Sequence, residues 1–435
     1  MTALARQRLA SAGYSLLLRI AVPLYWLRLR WRARREPLYG TAIGERFGFY
    51  REPVAPGALW LHAVSLGETR AAAPLLEALR AARPGTRFVL THGTATGRAA
   101  GRALLQDGDR QLWLPFDTPG AVRRFLRHVS PAVGVLMETE IWPNLLAAAA
   151  QRGVPVLLAN ARLSERSRRR GARVDALLRP AFASLAAALA QTEADAARLH
   201  DAGVREATVV GNLKYDITAD PTLLARGRAW RAGLVRGIVL AASTREGEED
   251  ELLAAWREHK IPRALLVVVP RHPQRFDAVA QAIVAAGFSV SRRSAWPGGA
   301  PPPRAGEADV WLGDSMFEMP AWYALADVAL LGGSFAPLGG QNLIEAAACA
   351  CPLVMGPHTF NFADAAELAI AAGAATRVGD MAAGVDAAVA LAAPDAGEAR
   401  AEQSQRALGF AAAHRGAAER MARRILEVAG DRLRA

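Results

Sequence analysis

Residues 327–362 read DVALLGGSFAPLGGQNLIEAAACACPLVMGPHTFNF. An apolar run enters a glycine-rich loop, and the loop opens a helix. A strand buried on both faces reads as a continuous apolar run, and such a loop is how it passes into a crossover helix. Gly332, Gly333, Gly339 and Gly340 let the backbone approach a ligand closely. The amides near Asn342 offer the positive end of the helix dipole. A nucleotide or sugar nucleotide is the expected ligand, with Ser334 and Gln341 in the same loop. Glu345, one turn inside the helix, could accept hydrogen bonds from ribose hydroxyls. The plainer alternative is an ordinary strand-to-helix loop with Glu345 as a first-turn helix residue.

The same rhythm recurs on both sides of this stretch. Strands are expected at 59–64, 87–91, 132–137, 154–158 and 186–190, each followed by a helix. A second series is expected at 237–243, 264–270, 288–293, 309–314, 327–333 and 351–356. Between the series, GNLKYDITADPT and a charged helix break the pattern. At 435 residues and 52% hydrophobic content, the chain suits two domains. The expected fold is α/β of two facing Rossmann-like domains with a cleft between them. Their limits read as 41–215 and 233–410, joined by a linker over 216–232. A C-terminal helix, 411–435, is expected to pack back on the first domain.

The net charge is +12, yet Lys214 and Lys260 are the only lysines among 53 basic residues. So strong an arginine bias points to genomic base composition more than to nucleic acid. The excess favours an anionic partner such as a lipid surface or a phosphorylated substrate. Cys349 and Cys351 stand in an apolar segment with no accompanying histidine cluster, which speaks against a disulfide or zinc site. Asp107 and Asp109 in QDGDRQ read as a turn, and neither metal nor cofactor is proposed.

Residues 1–40 read as a membrane anchor. Tyr14–Leu27, YSLLLRIAVPLYWL, is apolar apart from Arg19, arginines flank it, and residues 1–35 contain no acidic side chain. The run is shorter than the ~20 residues that span a bilayer squarely and has no cleavage site. An interfacial or marginally spanning helix is expected, with Trp26 and Trp31 at headgroup depth. The alternative is a Trp-rich helix packed on the protein itself.

Candidate chemistry sits at strand ends. Glu68 in HAVSLGETR, with Ser65 and Gly67 beside it, reads as a turn closing onto a helix that begins at Thr69. Its carboxylate could act as a general base toward a hydroxyl, or serve as an ordinary helix-start acid. Glu138 and Glu140 in METEIWPN form an acidic pair suited to acceptor hydroxyls, or capping groups. Ser243, Thr244 and Arg245 in AASTREGEE, with Arg271 and His272 in VVPRHPQRF, supply hydroxyls and cations for a phosphate and a carboxylate. Asn160 and Arg162 in NARLSERS, the run Arg168–Arg170, and Lys214 in GNLKYD complete the candidates on the acceptor side.

Taken together, RFGFY, HAVSLGE, METEIWPN, NARLSERS, GNLKYD, PRHPQRF, GGSFAPLGGQNLIEAAA and GPHTFNF strongly resemble the Kdo transferases of lipopolysaccharide synthesis, in the same order along nearly the whole chain. Gln341, Leu343 and Arg245 depart from the residues frequent in that family. The resemblance implies a GT-B fold and metal-independent transfer of 3-deoxy-D-manno-octulosonic acid (Kdo) from CMP-Kdo to a lipid A precursor; with Glu68 as a base and not a nucleophile, the transfer is expected to be inverting. It implies Glu68 as general base and a cytidine nucleotide held by the second domain. It implies the cytoplasmic face of the inner membrane, without nucleic acid. Two other readings remain: a GT-B enzyme or epimerase using a uridine nucleotide, and a non-catalytic basic protein of membrane surfaces or nucleic acid.

Overall fold

The computed structural model describes residues 2–216, 218–258 and 264–433 and falls into two compact units, residues 1–216 with 415–435 and residues 217–414. In the first unit β1 (Leu59–His62), β2 (Phe88–His92), β3 (Arg110–Trp113), β4 (Val133–Met137), β5 (Val156–Ala161), β6 (Ala187–Ala190) and β7 (Ala207–Val209) form one sheet in the order 3-2-1-4-5-6-7. All pairings are parallel. β1, β2, β4, β5 and β6 are buried at every position, which is why they read as unbroken apolar runs. One face packs against the helices Leu66–Ala82 and Ala417–Ala429 through Leu75, Leu79, Met421 and Ile425. The other packs Val122, Phe125, Leu145 and Leu146 from the helices Pro119–Val129 and Pro143–Gln151. Each such side chain, fully buried, contributes roughly 1.5–3 kcal/mol.

The second unit repeats the plan with β8 (Gly237–Thr244), β9 (Ala264–Pro270), β10 (Val290–Arg292), β11 (Val310–Leu312), β12 (Val328–Leu331), β13 (Leu353–Met355) and β14 (Ala375–Arg377), ordered 10-11-9-8-12-13-14. It too is wholly parallel. Trp230, Trp296, Trp311 and Trp322 form an aromatic cluster with centroid separations of 4.7 Å between Trp296 and Trp311 and 4.9 Å between Trp230 and Trp322. Within 216–232, Pro221–Ala232 is a helix whose Gly227 lies so close to the Ala321 carbonyl that an added Cβ would stand 2.1 Å from it. That stretch is therefore mostly a packed element of the second unit and not an open linker.

In each sheet the strand order reverses about one central pair, β1 beside β4 and β8 beside β12. Ligands of open parallel sheets bind beyond the carboxyl ends of strands at such a reversal. The topology thus marks two places: the loops after β1 and β4, and the loops after β8 and β12.

The N-terminal helix runs from Ala3 to Arg32 with Pro23 inside it. Among the described residues no helix is long and apolar enough to cross a membrane. One face is fixed to the first unit: the Tyr14 hydroxyl donates to Asp117 at 3.0 Å, Ser15 donates to Asn144 at 3.1 Å, and Leu29 is buried. Burial pushes the Asp117 carboxyl up to about 6, against the hydrogen bonds from Asn144, Tyr14 and Leu145 that hold it down. A second apolar stripe, Leu9, Leu16, Ile20, Leu24, Leu27 and Trp31, follows helical spacing and is exposed, Leu9 by 68% and Leu24 by 66%. Trp26 does not share that face with Trp31; its indole nitrogen is buried.

Candidate active site

In the first unit, Ser65 caps the helix Leu66–Ala82, which begins three residues before Thr69. The segment S-L-G-E is a capping box, so Glu68 is the third helical residue and not the end of a turn. The Glu68 carboxylate accepts from the Val64 amide at 2.8 Å and from the Ser65 hydroxyl at 2.9 Å. Burial raises its pKa, these hydrogen bonds oppose the rise, and the charge of Glu138 adds to it. Glu138 follows β4 with a left-handed φ of 55°, a conformation that a non-glycine residue holds only when its surroundings fix it. Glu140 lies in the same loop, and burial followed by the charge of Glu68 pushes its carboxyl up to about 7. Three carboxyl groups therefore converge at the β1–β4 reversal.

Gly67 is exposed in the helix's first turn, and among the described residues, the helix's own backbone and the two chain neighbours aside, a Cβ built there meets the Ser65 hydroxyl alone, at 3.8 Å. Among the described residues no packing contact requires glycine at that position. Beneath the loop, His62 and His92 are buried, and desolvation pushes them down to about 3 and about 4. Asn160, at φ 51°, is fully buried, and its side-chain oxygen accepts the Leu213 amide at 3.1 Å. It anchors the GNLKYD segment to the end of β5 and has no exposed atom to offer an acceptor. Arg162 is exposed beside Glu138, its amide 3.5 Å from the Glu138 carbonyl. Lys214 is half-buried in the segment that Asn160 holds. Arg168 and Arg169 are both bound to Glu165, at 3.0 and 2.8 Å, so two of the three arginines in that run already carry a counter-charge.

In the second unit the end of β8 and the loop after β12 touch backbone to backbone. A Cβ on Gly332 would stand 2.4 Å from the Ser243 carbonyl oxygen, so only glycine fits. Gly333 has φ 71°, and the side chains of Gln341 and Arg245 lie over it. Gly339 and Gly340 also lie at positive φ. Asn342 caps the short helix Leu343–Ala348 by accepting from Ile344 at 3.1 Å. Glu345 is half-buried in that helix, and its charge adds to burial in pushing the Cys349 thiol up to about 12. Arg271 and His272 are exposed just past β9, and the Arg271 amide donates to the Thr244 carbonyl at 3.0 Å.

Three features of this unit differ from the sequence reading. The first turn of the glycine loop, unlike the helix start near Asn342 to which the sequence reading assigns the ligand-facing amides, is already occupied: Gly333, Phe335 and Ala336 all donate to the Glu248 carboxylate. Ser334 is fully buried, its hydroxyl engaged by the Leu331 carbonyl and the Gly356 amide. Thr244 is buried too and donates to Glu249 at 2.7 Å, which in turn pairs with Arg275 at 2.6 Å. Ser334 and Thr244 are thus scaffold, while Arg245, Arg271, His272, Gln341 and Ser243 keep surface. Glu248 escaped the sequence reading because it stands in EGEED, where four acids in five residues look like a solvated helix start. Among the described residues, no group of three or more His, Cys, Asp or Glu could hold a metal ion.

The family model described as 3-deoxy-D-manno-octulosonic-acid transferase (kdotransferase) matches residues 41–217. A 3-deoxy-D-manno-octulosonic acid transferase of Bordetella pertussis is 47% identical over 421 residues, 94% of this chain and 96% of that protein. Two solved structures are alike in fold. A glycosyltransferase of Rickettsia africae ESF-5 aligns with a TM-score of 0.55 at 11% identity, covering 87% of this chain and 100% of that one. The UDP-GlcNAc 2-epimerase of Neisseria meningitidis, bound to UDP-GlcNAc, aligns with a TM-score of 0.55 at 13% identity, covering 86% and 99%. A transferase and an epimerase share this fold equally, so the fold does not choose between them; the sequence kinship does.

Proposed function

The chain belongs to the 3-deoxy-D-manno-octulosonic acid transferases, and on that premise we propose that it moves Kdo from its cytidine monophosphate ester to a hydroxyl of a lipid A precursor. Glu68 takes the proton of the acceptor hydroxyl as its oxygen attacks the anomeric carbon. The bond to the phosphate oxygen breaks, and cytidine monophosphate departs with the electron pair. One displacement with Glu68 as base inverts the anomeric centre. A phosphate monoester leaves readily, so cations suffice to stabilise its charge and no divalent metal is invoked.

The observation that carries this assignment is the placement of Glu68 at the β1–β4 reversal, with Glu138 and Glu140 raising the local negative charge. A carboxylate there is partly desolvated, which raises its basicity toward a hydroxyl. Glu138, Glu140, Arg162 and Lys214 are the proposed acceptor-side contacts, together with Ser65 and the open space beside Gly67. On the second unit, Arg245, Arg271 and His272 meet the phosphate and the Kdo carboxylate. Gln341, Asn342, Glu345 and the turns at Gly339 and Gly340 receive the nucleoside. The exposed stripe of the N-terminal helix, flanked by Arg6, Arg8, Arg28 and Arg30, is proposed to lie in an anionic leaflet, and the cytoplasmic face of the inner membrane is the location proposed with it.

Displacement of a fluorescent cytidine nucleotide tests the donor assignment. CMP is expected to compete at least tenfold better than UDP. Preference for UDP would move the chain to a uridine-using enzyme of the same fold, and equal indifference to both would remove nucleotide binding altogether.

A further inference from the structure

Glu248 opens the helix Glu248–Glu258 and is only 1% exposed. Its carboxylate accepts four backbone amides: Arg245 at 2.9 Å and Gly333 at 2.8 Å on one oxygen, Phe335 at 3.2 Å and Ala336 at 3.3 Å on the other. Successive amides turned inward about a left-handed residue make an anion-binding nest, the backbone feature that elsewhere holds a phosphate. Here the left-handed residue is Gly333, and the anion is a side chain of the same unit. Burying a carboxylate costs free energy, and here four charge-assisted hydrogen bonds replace its lost water.

The four amides come from two loops. Arg245 follows β8, and Gly333, Phe335 and Ala336 follow β12, so one carboxylate joins the two strand ends that flank the reversal of the second sheet. Ser243, beside this joint, is held at φ 58°, which a non-glycine residue adopts only where its surroundings over-determine it. Arg245 and Gln341 both lie over Gly333. Moving Gly333 moves the ground on which they stand.

We propose that Glu248 is the positioning residue of the donor site: it fills the amide nest of the glycine loop from within, fixing Arg245, Gly333 and Gln341 as a preformed surface. The nest is then closed to the donor phosphate, which is met by side-chain cations instead. This inference rests on the reading that the second unit binds a cytidine nucleotide. Replacing one oxygen by an amide group, as in Glu248→Gln, points two N–H donors at backbone donors and releases half the nest.

The test measures CMP affinity and both Michaelis constants for the wild type, Glu248→Gln and Glu248→Asp. The expected result is at least a tenfold loss of CMP affinity and a matching rise in donor KM for Glu248→Gln. Acceptor KM should stay unchanged, and Glu248→Asp should fall in between. A merely structural role would lower the yield and melting temperature but leave donor KM per folded molecule as in the wild type, and that outcome overturns the proposal. If both variants fail to fold, hydrogen exchange of the wild type decides: the amides of Gly333, Phe335 and Ala336 should be protected like those of β12, and rapid exchange would refute the nest. A wild type that does not bind CMP would instead count against the donor assignment itself.

Discussion

Ser65 and Glu68 hold each other reciprocally: the Ser65 hydroxyl donates to the Glu68 carboxylate at 2.9 Å, and the Glu68 amide returns to the Ser65 oxygen at 3.3 Å. The carboxylate proposed as base is thereby also a helix cap, and the two roles must be told apart by experiment. Glu68→Gln retains an oxygen for the Val64 amide, so the cap should lose no more than about 1 kcal/mol. Transfer should fall by roughly 100-fold or more, the usual scale for losing a general base. CMP binding should persist. Residual transfer near wild type with a destabilised first unit would mean that Glu68 is a cap alone.

Gly67 offers a cleaner probe of the same loop. Alanine fits the space left by the chain and favours the helix by about 0.5–1 kcal/mol, so Gly67→Ala should fold at least as well as the wild type. Lost transfer in a protein of unchanged or higher melting temperature would show that the space belongs to the acceptor. Full activity would remove Gly67 from the site.

The Glu140 carboxyl, pushed up to about 7, fixes a pH dependence. A carboxyl that is harder to ionise in the folded state costs nothing below the ordinary carboxylate range. Its cost grows as pH rises through that range and is complete above 7. Glu140→Gln should therefore stabilise the first unit at pH 8, by roughly 1–3 kcal/mol, and have little effect at pH 4.5. Denaturant melts at the two pH values check this, and equal effects at both would contradict it.

Leu16, Ile20 and Leu24 are exposed on the N-terminal helix while Tyr14 and Ser15 hold its other face. Changing all three to Ser should leave the fold intact and weaken sedimentation with anionic vesicles at least tenfold, since each apolar side chain contributes roughly 1 kcal/mol or more when buried. Vesicle binding that survives the triple change would place the membrane contact elsewhere.

Much of this fold can be read from the chain because its strands are buried on both faces: LWLH, VGVLM and ALLVVVP have no polar alternation to misread. β7 and β14 leave no apolar run in the sequence, being edge strands of three residues, ATV and ATR, with exposed positions. The helix carrying Glu68 starts earlier than the apolar pattern indicates, because a capping box, not periodicity, sets its first residue. The candidate site is half legible in the sequence. Motif order found the loops after β1, β4, β8 and β12, but sequence cannot tell a side chain facing a ligand from one turned inward. Asn160, Thr244 and Ser334 lie inward, and Glu248, unremarked in a run of acids, holds the glycine loop.

The most direct measurement is transfer of labelled Kdo from CMP-Kdo, generated in situ, to a tetraacylated lipid A precursor in detergent, with products counted by mass spectrometry. The account predicts one or more added Kdo residues, release of an equal amount of CMP, and the same rate in a metal chelator. Folded protein that binds CMP but transfers no Kdo, or that acts only on a uridine-linked sugar, would contradict it.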